Sequence, residues 1–135
     1  MKKYVIGGIF IVGILVLALN PNLVADQVVK WAKENVQNPD TPQIVYNTGR
    51  VCGFLQDDDS AIAMFNYLYA TYPDNAALCA PAMYYAGKIK ADNSYVKVFR
   101  MQAVPFLQIV IDQYPDSEWA AKSKQLMYEV TGEKP

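Results

Sequence analysis

The residues able to do chemistry are few, and their spacing limits what they can do. Asp57, Asp58 and Asp59, followed by Ser60, form a dense run of oxygen donors. A calcium loop would need spaced ligands, a central glycine and a distal glutamate, and all three are missing. The same residues suit a helix start, where carboxylates favour the N-terminal end of the dipole and can cap the first turn. The two thiols, Cys52 and Cys79, form no C-x-x-C pair. Histidine is absent, which removes the commonest general base, a common metal ligand and every Ser-His or Cys-His catalytic pair. Neither a G-x-G-x-x-G nor a P-loop pattern occurs. No base, nucleophile and metal cluster converge, so the expectation is a non-enzyme with no catalytic residue, no cofactor and no metal. The formal net charge is −1, and Lys88, Lys90, Lys97 and Arg100 are too sparse for a basic face, so no nucleic-acid partner is expected.

The elements behind these residues begin with a separate compositional block, "MKKYVIGGIFIVGILVLALN". Two lysines lead, and Tyr4 to Leu19 runs without a charge. As a helix this run is about 24 Å long, somewhat short of a hydrocarbon core of about 30 Å. It lies between a signal-peptide core and a spanning helix. Neither Leu23-Val24-Ala25 nor Val16-Leu17-Ala18 makes a good cleavage site, so residues 1–20 read as a retained transmembrane anchor that meets the membrane through residues 4–19. Lys2 and Lys3 would stay cytoplasmic by the positive-inside bias. The expected location is a bacterial inner membrane crossed once, with the rest of the chain periplasmic.

Residues 21–41 read as an amphipathic helix and linker. Asn20 can cap the helix with Pro21 at its first position. Leu23, Val24, Val28, Trp31 and Ala32 fall on one stripe, and Trp31 is a candidate contact with a partner or an interface. "NPDTP" at 38–42 is a linker. From residue 42 to 135 the pattern is helical throughout, with helices expected at about 42–55, 59–72, 76–91, 94–113 and 117–131. The fold class is therefore all-α.

Tyr-Pro-Asp occurs twice, at 72–74 and at 114–116, each time closing an apolar run. Aligned on their prolines, Ala61 meets Ala103, Phe65 meets Leu107 and Leu68 meets Val110. This is an internal repeat. Extended backward, it gives Val45, Thr48, Gly49 and Cys52, then Ala61, Phe65 and Pro73. That pattern resembles the tetratricopeptide repeat. Gly49, Ala61, Phe65 and Pro73 match its spacing, whereas Val45, Thr48 and Cys52 replace its usual Trp, Leu and Tyr. Gly49 and Ala61 are small enough for two helices to approach, and Pro73 ends its helix. Asp74 with Asn75, and Ser117 in the second copy, are expected to cap the helices that follow. The second copy, with Ala103, Leu107 and Pro115, is stretched: the prolines are 42 residues apart, against a family unit of about 34. A long helix over 94–113, kinked at Pro105, would absorb the difference. Trp119 opens a third, incomplete unit, a lone closing helix of the kind that caps a solenoid.

The resemblance covers about residues 42–131 and implies a short helical-hairpin solenoid that binds proteins. The repeat endings and the leader look like those of envelope proteins of the outer-membrane assembly and Tol-Pal-associated type, without a lipobox cysteine near residue 20. Cys52 and Cys79 would lie on the first helices of successive units, where a disulfide is geometrically feasible outside the cytoplasm; the other reading is two buried thiols. Tyr67, Tyr69, Tyr84 and Tyr85, clustered with Tyr72 around the first repeat, would be core or would line a protein-binding groove. The functional expectation is a membrane-anchored scaffold or accessory subunit of a larger envelope or respiratory complex. The alternative is a soluble periplasmic adaptor, released by signal cleavage, that acts in envelope assembly or secretion.

Overall fold

Pro21, which has no N–H to leave unpaired, opens the first helix of the computed structural model, in which residues 21–133 are described. The anchor assigned to residues 1–20 lies outside the described residues. Among the described residues, no helix is long and apolar enough to cross a membrane. Among the described residues the fold is all-α, with six principal helices. They are α1 (Pro21–Glu34), α2 (Thr41–Phe54), α3 (Asp58–Thr71), α4 (Ala76–Asp92), α6 (Val104–Gln113) and α7 (Glu118–Thr131); the short α5 (Lys97–Arg100) and a 3-10 turn (Met101–Ala103) lie between α4 and α6. The chain divides into two compact units between Met64 and Phe65, inside α3.

In the first unit, α1 packs against α2. The turn between them is held by side chains that the "NPDTP" composition supplies. The Asp40 N–H donates to Asn38 Oδ1 at 2.9 Å, and Thr41 Oγ1 donates to the Asn35 carbonyl at 2.7 Å. Helix α2 ends in a Schellman arrangement: Asp57 N–H reaches the Cys52 carbonyl at 2.9 Å and Gln56 N–H reaches that of Gly53 at 3.2 Å. Gln56 occupies the left-handed position at φ 62°, which usually falls to glycine. Asp57 then starts α3 as its composition implies, accepting the Ser60 N–H on Oδ1 at 3.3 Å. Val45, Gly49, Cys52, Ala61 and Met64 are buried.

In the second unit, α4 packs against α6 and α7, which also pack on each other. Ala91, Ala103, Leu107, Leu126 and Val130 form its core, with Tyr84, Val104 and Met127 against it. The close approach sits at Gly87. A Cβ there would lie 2.7 Å from Leu107 Cδ2 and 2.9 Å from its Cγ.

Two expectations are corrected here. The helix expected over 94–113 is three pieces, and Pro105 sits in the first turn of α6 instead of kinking a long helix. Proline cannot donate to a carbonyl four residues back and its ring crowds that turn, so the chain tightens into a 3-10 turn just before it. Asn75 and Ser117 do occupy the N-cap positions of α4 and α7, but neither makes a side-chain cap bond. Ser117 Oγ instead donates backward to the Tyr114 carbonyl at 2.7 Å, which closes the turn rather than the helix.

Both Tyr-Pro-Asp stretches are turns between helices, and the second is tied to the first. Tyr114 Oη donates to the Pro73 carbonyl at 2.7 Å, across 41 residues of sequence. Cys79, on the helix after the first turn, donates its Sγ–H to the Tyr72 carbonyl at 3.1 Å.

Candidate interaction surfaces

Helix α1 sorts its apolar residues onto two faces. Ala25 and Ala32 are buried. Leu23, Val24, Val28 and Trp31 line an open groove of about 390 Å³ with Gln27 and with Ile44 of α2. The single stripe expected from sequence is thus divided: its smallest member, Ala32, packs inward, and the bulky members face the groove. Leu23 is 57% exposed and Trp31 is half-buried. One polar bond closes the end of α1 and another ties its start to α3. Asn35 Nδ2 donates to the Trp31 carbonyl at 2.8 Å, and Ser60 Oγ donates to Asn22 Oδ1 at 2.8 Å. Large apolar side chains lining an open wall are complementary to another apolar surface.

The second unit carries an aromatic cluster. Tyr84 and Tyr85 of α4 meet Trp119 of α7 with ring centroids 5.2 and 5.4 Å away, and their own rings are 5.6 Å apart, edge to face. Lys122 sits with Nζ 4.0 Å from the Trp119 ring centroid, one turn along α7, in cation–π range. Glu118, four residues before Lys122, pairs with it at 3.4 Å. Trp119 also lines a cleft of about 480 Å³ beside Ala76, Ala77, Tyr114, Pro115 and Asp116.

Tyr84 and Tyr85, singled out from sequence, are thus brought together, and Trp119 joins them. Tyr67 and Tyr69 sit half-buried on α3. None of these four tyrosines is exposed; Tyr95 stands fully in solvent and Tyr128 about half. Of the repeat positions, Val45, Gly49, Cys52, Ala61, Phe65, Ala103 and Leu107 are buried, Trp119 is half-buried, and Pro73 and Pro115 are exposed at their turns. Sequence reading missed the exposed run Tyr95, Val96, Val98, Phe99 and Met101. Its alternation with Lys97 and Arg100 was the available signal, hidden by assigning it to a long helix.

Cys52 and Cys79 are free, buried thiols, the second of the two readings given to them above. Burial, and then the nearby Asp57 charge, raises Cys52 to about 11. Burial raises Cys79 to about 11 as well. At neutral pH both stay protonated, and a thiol is a poor nucleophile beside its thiolate. Burial likewise pushes the Tyr114 phenol up, with Cys79 adding to the effect. Among the described residues, no group of Cys, Asp and Glu is arranged to hold a metal ion.

No protein-family model, curated protein or solved structure matches this chain. The fold class rests on the helices themselves.

Proposed function

We propose that this protein is a non-catalytic, membrane-anchored scaffold or accessory subunit, built on tetratricopeptide-like hairpins, that holds a helical partner in an envelope or respiratory complex. The single observation that carries the reading is the α1 groove. Val24 and Val28, and Leu23, Gln27 and Trp31, follow one another at four-residue steps along one face of a helix. A partner helix laid alongside would meet such a row as complementary ridges. Trp31 is the large aromatic anchor such surfaces use. Supporting the hairpin assignment are α2 and α3, two helices of 14 residues joined by a short turn, with small and aromatic repeat positions buried.

The test is partner recovery by the full chain from mild detergent, with a photo-crosslinker at Leu23 on the groove rim. The expected outcome is a crosslink to an apolar helix of one protein, and about tenfold or greater loss of its recovery with Trp31→Ala. Unchanged recovery with both Trp31→Ala and Val28→Asp, each with native helix content by circular dichroism, would remove the groove from the function.

A further inference from the structure

Between α4 and α6 the chain does something that folding does not require. Over residues 95–101, "YVKVFRM", it exposes Tyr95, Val96, Val98, Phe99 and Met101. Tyr95 is 107% exposed and Val98 69%, although the core of the same unit lies just before and after them at Ala91 and Ala103. None of the four residues of α5 is buried. Contiguous apolar exposure of this kind marks a surface meant for another phase or partner.

The segment is held in shape. Arg100 Nε donates to the Ala91 carbonyl at 3.0 Å, tying it to the end of α4. The Val96 N–H donates to Ser94 Oγ at 3.0 Å, and the Val96 carbonyl receives the N–H groups of Phe99 and Arg100 at 3.0 and 3.2 Å. The apolar side chains are therefore presented on a fixed turn rather than on a loose loop.

Its charge is as uneven as its polarity. Residues 88–101 carry four of the twelve basic residues (Lys88, Lys90, Lys97 and Arg100) and one of the thirteen acidic ones, Asp92. This stretch is net +3 in a chain whose formal charge is −1, so the remainder is net −4. Lys88 is paired with Asp92 at 2.8 Å, and Arg100 is tied back to the backbone. Lys97, exposed among the apolar residues, is the charge placed to meet a ligand directly.

We propose that residues 95–101 form a contact with an anionic phospholipid surface, with Tyr95, Val98 and Phe99 entering the headgroup boundary and Lys97 meeting lipid phosphates. The chemistry fits each part. Tyrosine places an apolar ring and a polar tip at headgroup level. Lysine lays its stem along apolar surface and keeps its ammonium in the polar layer. Basic residues beside an inserted apolar face are drawn to anionic leaflets. A fluid surface suits a turn that projects its side chains outward. One short turn binds weakly alone, but a chain already tethered by its own apolar segment at 4–19 would meet the surface at high effective concentration. The contact rests on the anchor of the proposed reading but uses none of the groove residues of α1, so its failure is distinguishable from failure of the partner groove.

The test uses the full chain with Val98→Cys labelled by an environment-sensitive dye. Cys52 and Cys79 are buried, so the folded chain takes the label at position 98. The chain is reconstituted in vesicles of phosphatidylcholine alone or mixed with phosphatidylglycerol. In the mixed vesicles the expected result is a blue-shifted emission, quenched by lipids carrying a nitroxide near the headgroup. Lys97→Glu should reduce that response about fivefold or more, and added salt should weaken it. Tyr95→Cys repeats the reading at the most exposed position, so that one label cannot decide the outcome. Water-like emission from both positions in the mixed vesicles overturns the proposal. So does a blue shift that nitroxide lipids do not quench, which would assign the segment to a protein surface, or quenching that Lys97→Glu leaves unchanged.

Discussion

The first Tyr-Pro-Asp turn leaves its tyrosine partly in solvent, whereas the second buries it: Tyr72 is partly exposed and Tyr114 is 7% exposed. Both prolines and both aspartates stand exposed, and both turns end a helix in the same way. In each the N–H three residues after the tyrosine returns to its carbonyl, at 2.9 Å from Asn75 and 3.0 Å from Ser117. The difference lies in what each tyrosine is used for. Tyr72 offers its carbonyl to the Cys79 thiol, and Tyr114 sends its hydroxyl to the carbonyl of Pro73. A repeated motif thus reproduces the turn, and position along the chain decides whether its aromatic residue also joins the two copies.

The strongest way to break this comparison is to remove each ring. Tyr114→Ala should cost about 3–5 kcal/mol, the usual range for deleting a buried aromatic. Tyr72→Ala should cost clearly less, because part of that ring is already in water. Urea denaturation of the two variants checks the ranking; equal losses would mean that the turns are equivalent after all. Tyr114→Phe isolates the hydrogen bond to Pro73 and should lose about 1 kcal/mol.

A second, smaller effect concerns the helix behind the second turn. Leu107 aligns with Phe65 of the first copy, and Gly87 leaves the space that Leu107 occupies. Gly87→Ala forces a fully buried side chain to move, at an expected 1–3 kcal/mol, roughly the range for overpacking a core. Because alanine is the better helix former by about 1 kcal/mol, a thermal melt that rises instead would show that Leu107 has room to yield.

The smallest effect sharpens the reading of the turn itself. A serine acting as a helix cap typically costs about 1 kcal/mol when replaced by alanine. Ser117 Oγ bonds back to Tyr114 rather than forward into α7, so Ser117→Ala should lower stability without fraying the start of α7. Amide exchange at Ala120 and Ala121 separates the cases: faster exchange there, beyond the global change, would restore the capping role.

Much of this arrangement was legible in the residues. The long helices follow from apolar periodicity and from prolines that end them, and Asp57 starts α3 as a carboxylate before an apolar run suggests. The broken stretch at 97–113 was not legible, because its apolar residues fit a helical period as well as the actual pieces do. Only the missing N–H at Pro105 distinguishes them, and a proline is also tolerated inside a kinked helix. The candidate surfaces were half legible. Trp31, Tyr84 and Tyr85 could be picked by type, but Trp119 reaches the two tyrosines across 34 or more residues of chain, a proximity that only packing creates. Gly87 escaped notice for the same reason: a pinch between helices depends on the crossing point and not on local spacing.

The tie between Tyr114 and Pro73 is unequal in how it can be lost. Its acceptor is a main-chain carbonyl, which every amino acid carries. Exchange of residue 73 removes no acceptor, so sequence drift there is harmless to the tie as long as the turn keeps its path. Its donor is a phenolic hydroxyl at one position, and nearly every exchange of that residue removes it. One partner is insured by the backbone and the other by nothing, so the mutational risk of a bond shared by two turns falls almost wholly on the second.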